Sequence, residues 1–159
     1  MTNNKKVAIV MGSQSDYAVM KKCEEILKIL KIKFETKIVS AHRTPERMFT
    51  FAKKAAKNNF AVIVAGAGGS AHLPGMIASI SILPVIGVPV ETKKLKGLDS
   101  LLSMVQMPKN VPIGCLAING SFNAGLLAAS IIGNFDKKIK SNLEKWRRIQ
   151  TQSVKKKPK

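Results

Sequence analysis

Apolar positions in this chain come as short runs separated by polar loops, and the runs alternate between two periods. Val7-Ala8-Ile9-Val10-Met11 is continuously apolar and stops at Gly12, the pattern of a strand buried on both faces. Ser13-Gln14-Ser15-Asp16 supplies N-cap residues, and a helix is predicted from about Asp16 to Leu30, with Val19, Cys23, Ile26, Leu27 and Leu30 on one face. A second unit has a strand at Phe34–Val39, a loop at Ser40–Thr44 and a helix at Pro45–Asn58. Thr44 and Pro45 form a sharp helix-start signal there. The third unit is a strand at Phe60–Ala65, a loop at Gly66–Gly75 and a short helix at Met76–Ser81. Further on, strands are predicted at Pro84–Val88 and Ile113–Ile118, and helices at Asp99–Val105 and Ala124–Gly133.

Strands alternating with helices predict an α/β domain whose parallel sheet is covered on both faces. Ligands of such sheets gather beyond the carboxyl ends of the strands. The polar and glycine-rich loops all follow strands, so they are expected to converge on one sheet edge. After the last strand, Phe135, Ile139, Leu143, Trp146 and Ile149 recur at helical spacing. That stripe either covers its own domain or packs on another subunit. One domain is predicted over 1–159, with an ordered core at 6–150 and a flexible basic tail at 151–159.

Charge adds a question to this picture. The formal net charge is +18, a value that raises nucleic-acid binding. Arg43, Arg47, Arg147 and Arg148 are the only arginines, and aromatic residues make up 5% of the chain. Base-edge readout leans on Arg and single-strand binding on stacked aromatics, so neither mode is supplied. The lysines are scattered over helix faces and chain ends and read as a solvated surface that can steer an anionic substrate. Cys23 and Cys115 form no Cys-x-x-Cys pattern, consistent with a reducing, cytoplasmic setting. The run Val7–Met11 is too short for a signal-peptide core, and no apolar stretch approaches the ~20 residues of a membrane span.

Three loops carry the candidate chemistry. Gly12–Asp16 brings two hydroxyls and a carboxylate to a helix start, where free N–H groups favour phosphate and Asp16 can accept from ribose hydroxyls. The alternative is that Ser and Asp simply cap the helix. In Ser40-Ala41-His42-Arg43-Thr44-Pro45, the imidazole can give and take protons near neutral pH and the guanidinium suits phosphate. A bland surface His-Arg pair is the alternative here. Gly66-Ala67-Gly68-Gly69-Ser70-Ala71-His72-Leu73-Pro74-Gly75 lets backbone approach a ligand closely. It matches the dinucleotide fingerprint only in part, because it follows the third strand and Pro74 sits where the fingerprint helix would run. Two histidines and no clustered Cys or carboxylates argue against a metal site, and no Gly-x-Ser-x-Gly elbow supports a serine nucleophile.

Together, Gly12-Ser13-x-Ser15-Asp16, Ser40–Pro45 and Gly66–Met76 resemble the signature loops of the bacterial N5-carboxyaminoimidazole ribonucleotide mutases. The resemblance continues through Pro84–Pro89, Leu98–Leu101, Gln106-Met107-Pro108, Asn123-Ala124 and the Trp146-Arg147 helix. It implies a flavodoxin-like three-layer αβα sandwich, assembled as an octamer with sites at subunit boundaries and a C-terminal helix packing on a neighbouring subunit. It also implies a reaction of purine biosynthesis. A carboxylate leaves the exocyclic carbamate nitrogen and is reattached to ring carbon four, with His42 as general acid and base and no metal, biotin or ATP. By the same match Ser13, Asp16, Ser40 and Arg43 hold phosphate and ribose, while Ala67, Gly68, His72 and Leu73 line the carboxylate and imidazole pocket. The implied partner is a phosphorylated ribonucleotide, with no nucleic acid and no membrane.

Two departures from that pattern stand out. The turn Asn119-Gly120-Ser121-Phe122 is two residues shorter than the usual glycine- and alanine-rich turn, and Ser70 replaces a more usual Ala. A relative that carboxylates aminoimidazole ribonucleotide with free carbon dioxide is the nearest alternative reading. A flavodoxin-like module that binds a nucleotide without chemistry is the alternative from another class.

Overall fold

A computed structural model describes residues 5–157. Five parallel strands form one sheet in the order β2-β1-β3-β4-β5. They are β1 (Lys6–Met11), β2 (Phe34–Ile38), β3 (Phe60–Gly68), β4 (Val85–Val90) and β5 (Gly114–Cys115). Between and after them run α1 (Tyr17–Ile29), α2 (Pro45–Lys54), α3 (Leu73–Ala78), α4 (Leu98–Val105), α5 (Ser121–Gly133) and α6 (Lys137–Ser153). The chain reverses direction across the sheet between β1 and β3, and a crevice opens at such a switch point. This is the flavodoxin-like α/β arrangement the sequence resemblance implies.

Strand periodicity divides the core in two. Val7, Ile9 and Met11 of β1 face one side with Val62, Val64, Ile86 and Val88. There they meet α1 through Met20, Cys23, Ile26 and Leu27, and α5 through Ala124, Ala128, Ala129 and Ile132. Ala8 and Val10 face the other side with Ile63 and Ala65, against Met48 and Phe51 of α2, Ile77 of α3 and Met104 of α4. Small residues set the spacing on the first side. A Cβ on Gly125 would lie 2.4 Å from Ile26 Cγ2, so α1 and α5 can approach as they do only with glycine there.

The elements differ from the sequence expectation mainly at their ends. Gly66, Ala67 and Gly68 continue β3 rather than opening a loop, because they pair with Val88, Pro89 and Val90 of β4. Pro74 lies in the first turn of α3, which starts at Leu73 and not Met76. A missing N–H costs nothing at that position. Residues 113–118 yield only the two-residue β5, an edge strand that pairs on one side. α2 ends at Lys54, four residues short of the predicted boundary.

The C-terminal stripe lies largely on its own domain. Ile139 and Leu143 are buried in the α1–α5 core, and the Trp146 ring sits 6.2 Å from that of Phe122. Phe135 and Ile149 remain exposed. Asp136 caps α6 by accepting from the N–H groups of Lys138 (3.0 Å) and Ile139 (3.1 Å), and the helix runs on to Ser153. Of the predicted flexible tail, Pro158 and Lys159 lie outside the described residues.

Candidate active site

The carboxyl ends of β1, β2, β3 and β4 enclose a cleft of about 520 Å³. Every candidate residue from the sequence lines it: Ser13, Asp16, Ser40, His42, Arg43, Ala67, Gly68, His72 and Leu73. The same cleft takes in Val90, Glu91 and Thr92, which the motif reading passed over. Their signal was positional, since they follow β4 as the other loops follow their strands.

The β1 loop resolves its two alternatives residue by residue. Ser13 is a true cap, its hydroxyl accepting from Ser15 N–H at 3.3 Å. Asp16 stands at the N-cap position of α1 but makes no capping bond, so its carboxylate is not consumed by the helix. Ser15 donates to Asp16 Oδ1 at 3.3 Å. Burial raises the Asp16 pKa above the ordinary carboxylate value. The Ser15 hydroxyl, the Ser13 backbone, the Arg43 charge and the Gly12 backbone act in the opposite direction. A buried carboxylate with acceptor capacity left suits neutral hydroxyl donors such as those of a ribose.

The β2 loop is knotted onto one serine. Ser40 N–H donates to Thr44 Oγ1 (3.0 Å), Thr44 Oγ1 donates back to Ser40 O (3.1 Å), and Arg43 N–H donates to Ser40 Oγ (3.2 Å). Ser40 is buried, so its first task is to shape the loop that presents His42 and Arg43. Arg43 Nη2 crosses to the carbonyl of Gly12 at 2.7 Å and joins the β2 loop to the β1 loop. The guanidinium therefore stands beside the Ser13–Asp16 turn with donors to spare.

His42 faces the β3 side. Its Nε2 lies 2.9 Å from Nδ1 of His72, the rings meeting edge to face with centroids 5.0 Å apart. Such a bond needs one N–H and one lone pair, so the contact accommodates one imidazolium but not two. One ring therefore donates and the other accepts, the roles being set by the tautomer. Among the described residues no three His, Cys, Asp or Glu side chains gather as a metal-binding group.

Two contacts outside the motifs set the cleft walls. Ser100 of α4, wholly buried, accepts from Gly69 N–H at 2.9 Å and donates to Val90 O at 2.7 Å. The turn at Asn119 holds the same β4 end on either side of Val90. Asn119, at φ +59, donates its N–H to Pro89 O at 2.8 Å. Its side chain accepts from Glu91 N–H at 3.0 Å and donates to Glu91 Oε2 at 3.1 Å. Asn tolerates the left-handed region, which lets so tight a turn reach back to β4. Asp99 adds a further tie, accepting from Thr92 Oγ1 at 2.9 Å.

A parallel α/β sheet, an anion-favouring turn at its switch point and a hydrogen-bonded imidazole pair define a site of the small-molecule class, suited to an anionic ligand. Comparison with known proteins gives that class a family. The model described as AIR carboxylase matches residues 6–153. The N5-carboxyaminoimidazole ribonucleotide mutase of Escherichia coli K12 is 52% identical over 154 residues, covering 96% of this chain and 91% of the relative. The protein of the same name from Thermotoga maritima is 56% identical over 147 residues, covering 90% and 86%. The crystal structure of Treponema denticola PurE superposes with a TM-score of 0.84 at 27% identity, covering 93% of this chain and 92% of that one. The chain belongs to the AIR carboxylase family.

Proposed function

We propose that this protein is an N5-carboxyaminoimidazole ribonucleotide mutase of de novo purine biosynthesis, with His42 as its general acid and base. The observation that carries the reading is the 2.9 Å His42–His72 contact in a cleft whose far end holds Ser13, Asp16 and Arg43. A ribonucleotide laid across that cleft puts its phosphate by Ser13 and Arg43 and its ribose by Asp16. Its imidazole then rests on the Ala67–Gly68 backbone and Leu73, beside the hydrogen-bonded histidine pair.

The chemistry follows from that pose. The carbamate N–C bond breaks, its electron pair returns to nitrogen, and His42 delivers a proton there as carbon dioxide is released. Ring carbon four then attacks the carbon dioxide, and the proton displaced from that carbon returns to His42. Atoms and charge balance over the cycle, so no cofactor enters. Positioned acid–base catalysis of this kind is worth ~10²–10⁴-fold. His72 receives or supplies the hydrogen bond that fixes which His42 nitrogen carries the proton.

Direct carboxylation of aminoimidazole ribonucleotide is the second reading, favoured by the description of the matching family model. Relatives at 52% and 56% identity bear the mutase name and favour the first. Assay of both substrates separates them. The mutase reading expects turnover of N5-carboxyaminoimidazole ribonucleotide at low bicarbonate. Activity only with aminoimidazole ribonucleotide plus bicarbonate overturns it.

The working form in this reading is a homo-octamer in the cytoplasm, each chain a single catalytic domain. Exposed Leu98, Leu102 and Val105 on α4, Phe49 on α2, Met76 on α3, Phe135 just before α6 and Ile149 on α6 support burial against other copies. The two unbridged cysteines support a reducing compartment. Among the described residues no helix is long and apolar enough to cross a membrane.

A further inference from the structure

Ser100 is an unusual use of a polar residue: a hydroxyl at 0% exposure whose donor and acceptor capacities are both spent on backbone at the cleft wall. It accepts from Gly69 N–H, just past β3, and donates to Val90 O, the last carbonyl of β4. Gly69 takes φ +69, and its own carbonyl lies 3.2 Å from Ser103 Oγ, one turn further along α4. Ser103 Oγ has a closer acceptor in Asp99 O at 2.8 Å, so the Ser100 bond is the firmer of the two contacts that α4 makes with Gly69. Gly68, Gly69 and Ser70 form the cleft surface at that point, with Val90 facing them across the wall.

We propose that Ser100 is a positioning residue that keeps this wall closed over the carbon dioxide released midway through the reaction; this rests on the mutase reading above. Between the two bond changes the carbon dioxide is held by no covalent link. Its fate depends on whether capture by ring carbon four outruns escape. Ala67 and Gly68 offer only backbone and a methyl group to retain it, so the fit of the wall decides the partition. Nothing covalent joins Gly69 to Val90, and Ser100 is the hydroxyl that bridges them. Sheet pairing ends at Gly68 and Val90, so without this hydroxyl Gly69 and Ser70 lose their tie to β4 just beyond the ladder.

A purely structural role for Ser100 predicts loss of folded protein or uniform loss of rate. A retention role predicts a change in product ratio. The test supplies N5-carboxyaminoimidazole ribonucleotide in buffer containing ¹³C-bicarbonate, corrected for spontaneous breakdown. It follows aminoimidazole ribonucleotide, carboxylated product and label in that product. The parent protein transfers the substrate's own carboxylate and yields little label. Ser100→Ala is expected to raise both free aminoimidazole ribonucleotide and label incorporation about tenfold, the scale of a small misplacement near a reacting centre. Ser130→Ala, which removes a hydroxyl on the surface of α5, behaves as the parent. Unchanged partition in a folded Ser100→Ala variant overturns the proposal, even if its kcat falls. If that variant does not fold, Ser103→Ala carries the test. About threefold more escape supports the proposal and parent-like retention overturns it. A parent protein that makes no product from this substrate removes the mutase reading and the proposal with it.

Discussion

The two faces of the sheet are built differently, and each contributes one half of the cleft. One face carries the 13-residue helices α1 and α5 and the 17-residue α6, packed closely enough that a Cβ at Gly125 has no room. The other carries α2, α3 and α4, of 10, 6 and 8 residues, and leaves Phe49, Met76, Leu98 and Leu102 exposed. Ser13 and Asp16 lead into the helix of the well-filled face, while His42 and His72 precede α2 and α3 on the thin one. Ser13 and Asp16 thus enter the cleft from the well-filled side and both histidines from the thin one, with Arg43 reaching across from the thin side to the Gly12 carbonyl.

The largest effect should come from the thin side. His42→Asn removes the proton carrier at an exposed position, and is expected to cut mutase turnover by ~10²–10⁴-fold. Its thermal midpoint should stay with the parent, since no core contact is lost. Parent-like turnover would break the division of labour just described.

A change confined to the well-filled side should do the opposite. Gly125→Ala forces a methyl toward Ile26 Cγ2 at 2.4 Å and Cys23 O at 3.3 Å. Overpacking of this kind costs ~1–3 kcal/mol, readable in urea titration, with turnover per folded molecule kept. Equal stability in parent and variant would mean that this face is looser than its packing implies.

The smallest and sharpest effect concerns Asp16, where anchoring and stability conflict. Burial raises its folded pKa, so the folded state holds this proton more tightly than the unfolded chain. The favourable contribution is complete below the unfolded pKa and is lost as pH rises through the folded value. At neutral pH the buried carboxylate is therefore a cost that Asp16→Asn removes. The variant should be the more stable of the two at pH 7, with the gap closing toward acid, and its KM should rise. A stability gain that is independent of pH would point away from the carboxylate.

Much of this was legible in the sequence, for a reason visible in particular residues. Val7–Met11 names a two-sided strand because a parallel sheet asks for one, and Thr44-Pro45 names a helix start because backbone geometry asks for it. All nine candidate site residues line one cleft, since loops that follow parallel strands share an edge. Boundaries were harder. Gly66–Gly68 reads as a loop from composition, yet its pairing with β4 is decided by residues about twenty positions away. β5 shrinks to Gly114–Cys115, the two residues of the predicted strand that pair with β4. Ser100 looks ordinary in sequence, and Asn119 stands out only through the length of its turn. Their roles arise from contacts with Gly69 and Glu91, 31 and 28 residues away, which no local pattern announces.

In the proposed pose one cleft anchors a ribonucleotide through Ser13 and Arg43 and brings its ring to His42. A crystal structure with aminoimidazole ribonucleotide bound tests that pose most directly. The expected result is the phosphate at Ser13 and Arg43, and a His42 ring nitrogen within ~3.2 Å of the exocyclic nitrogen or ring carbon four. A ligand bound with its phosphate against the histidines, or with its ring out of reach of His42, would contradict it.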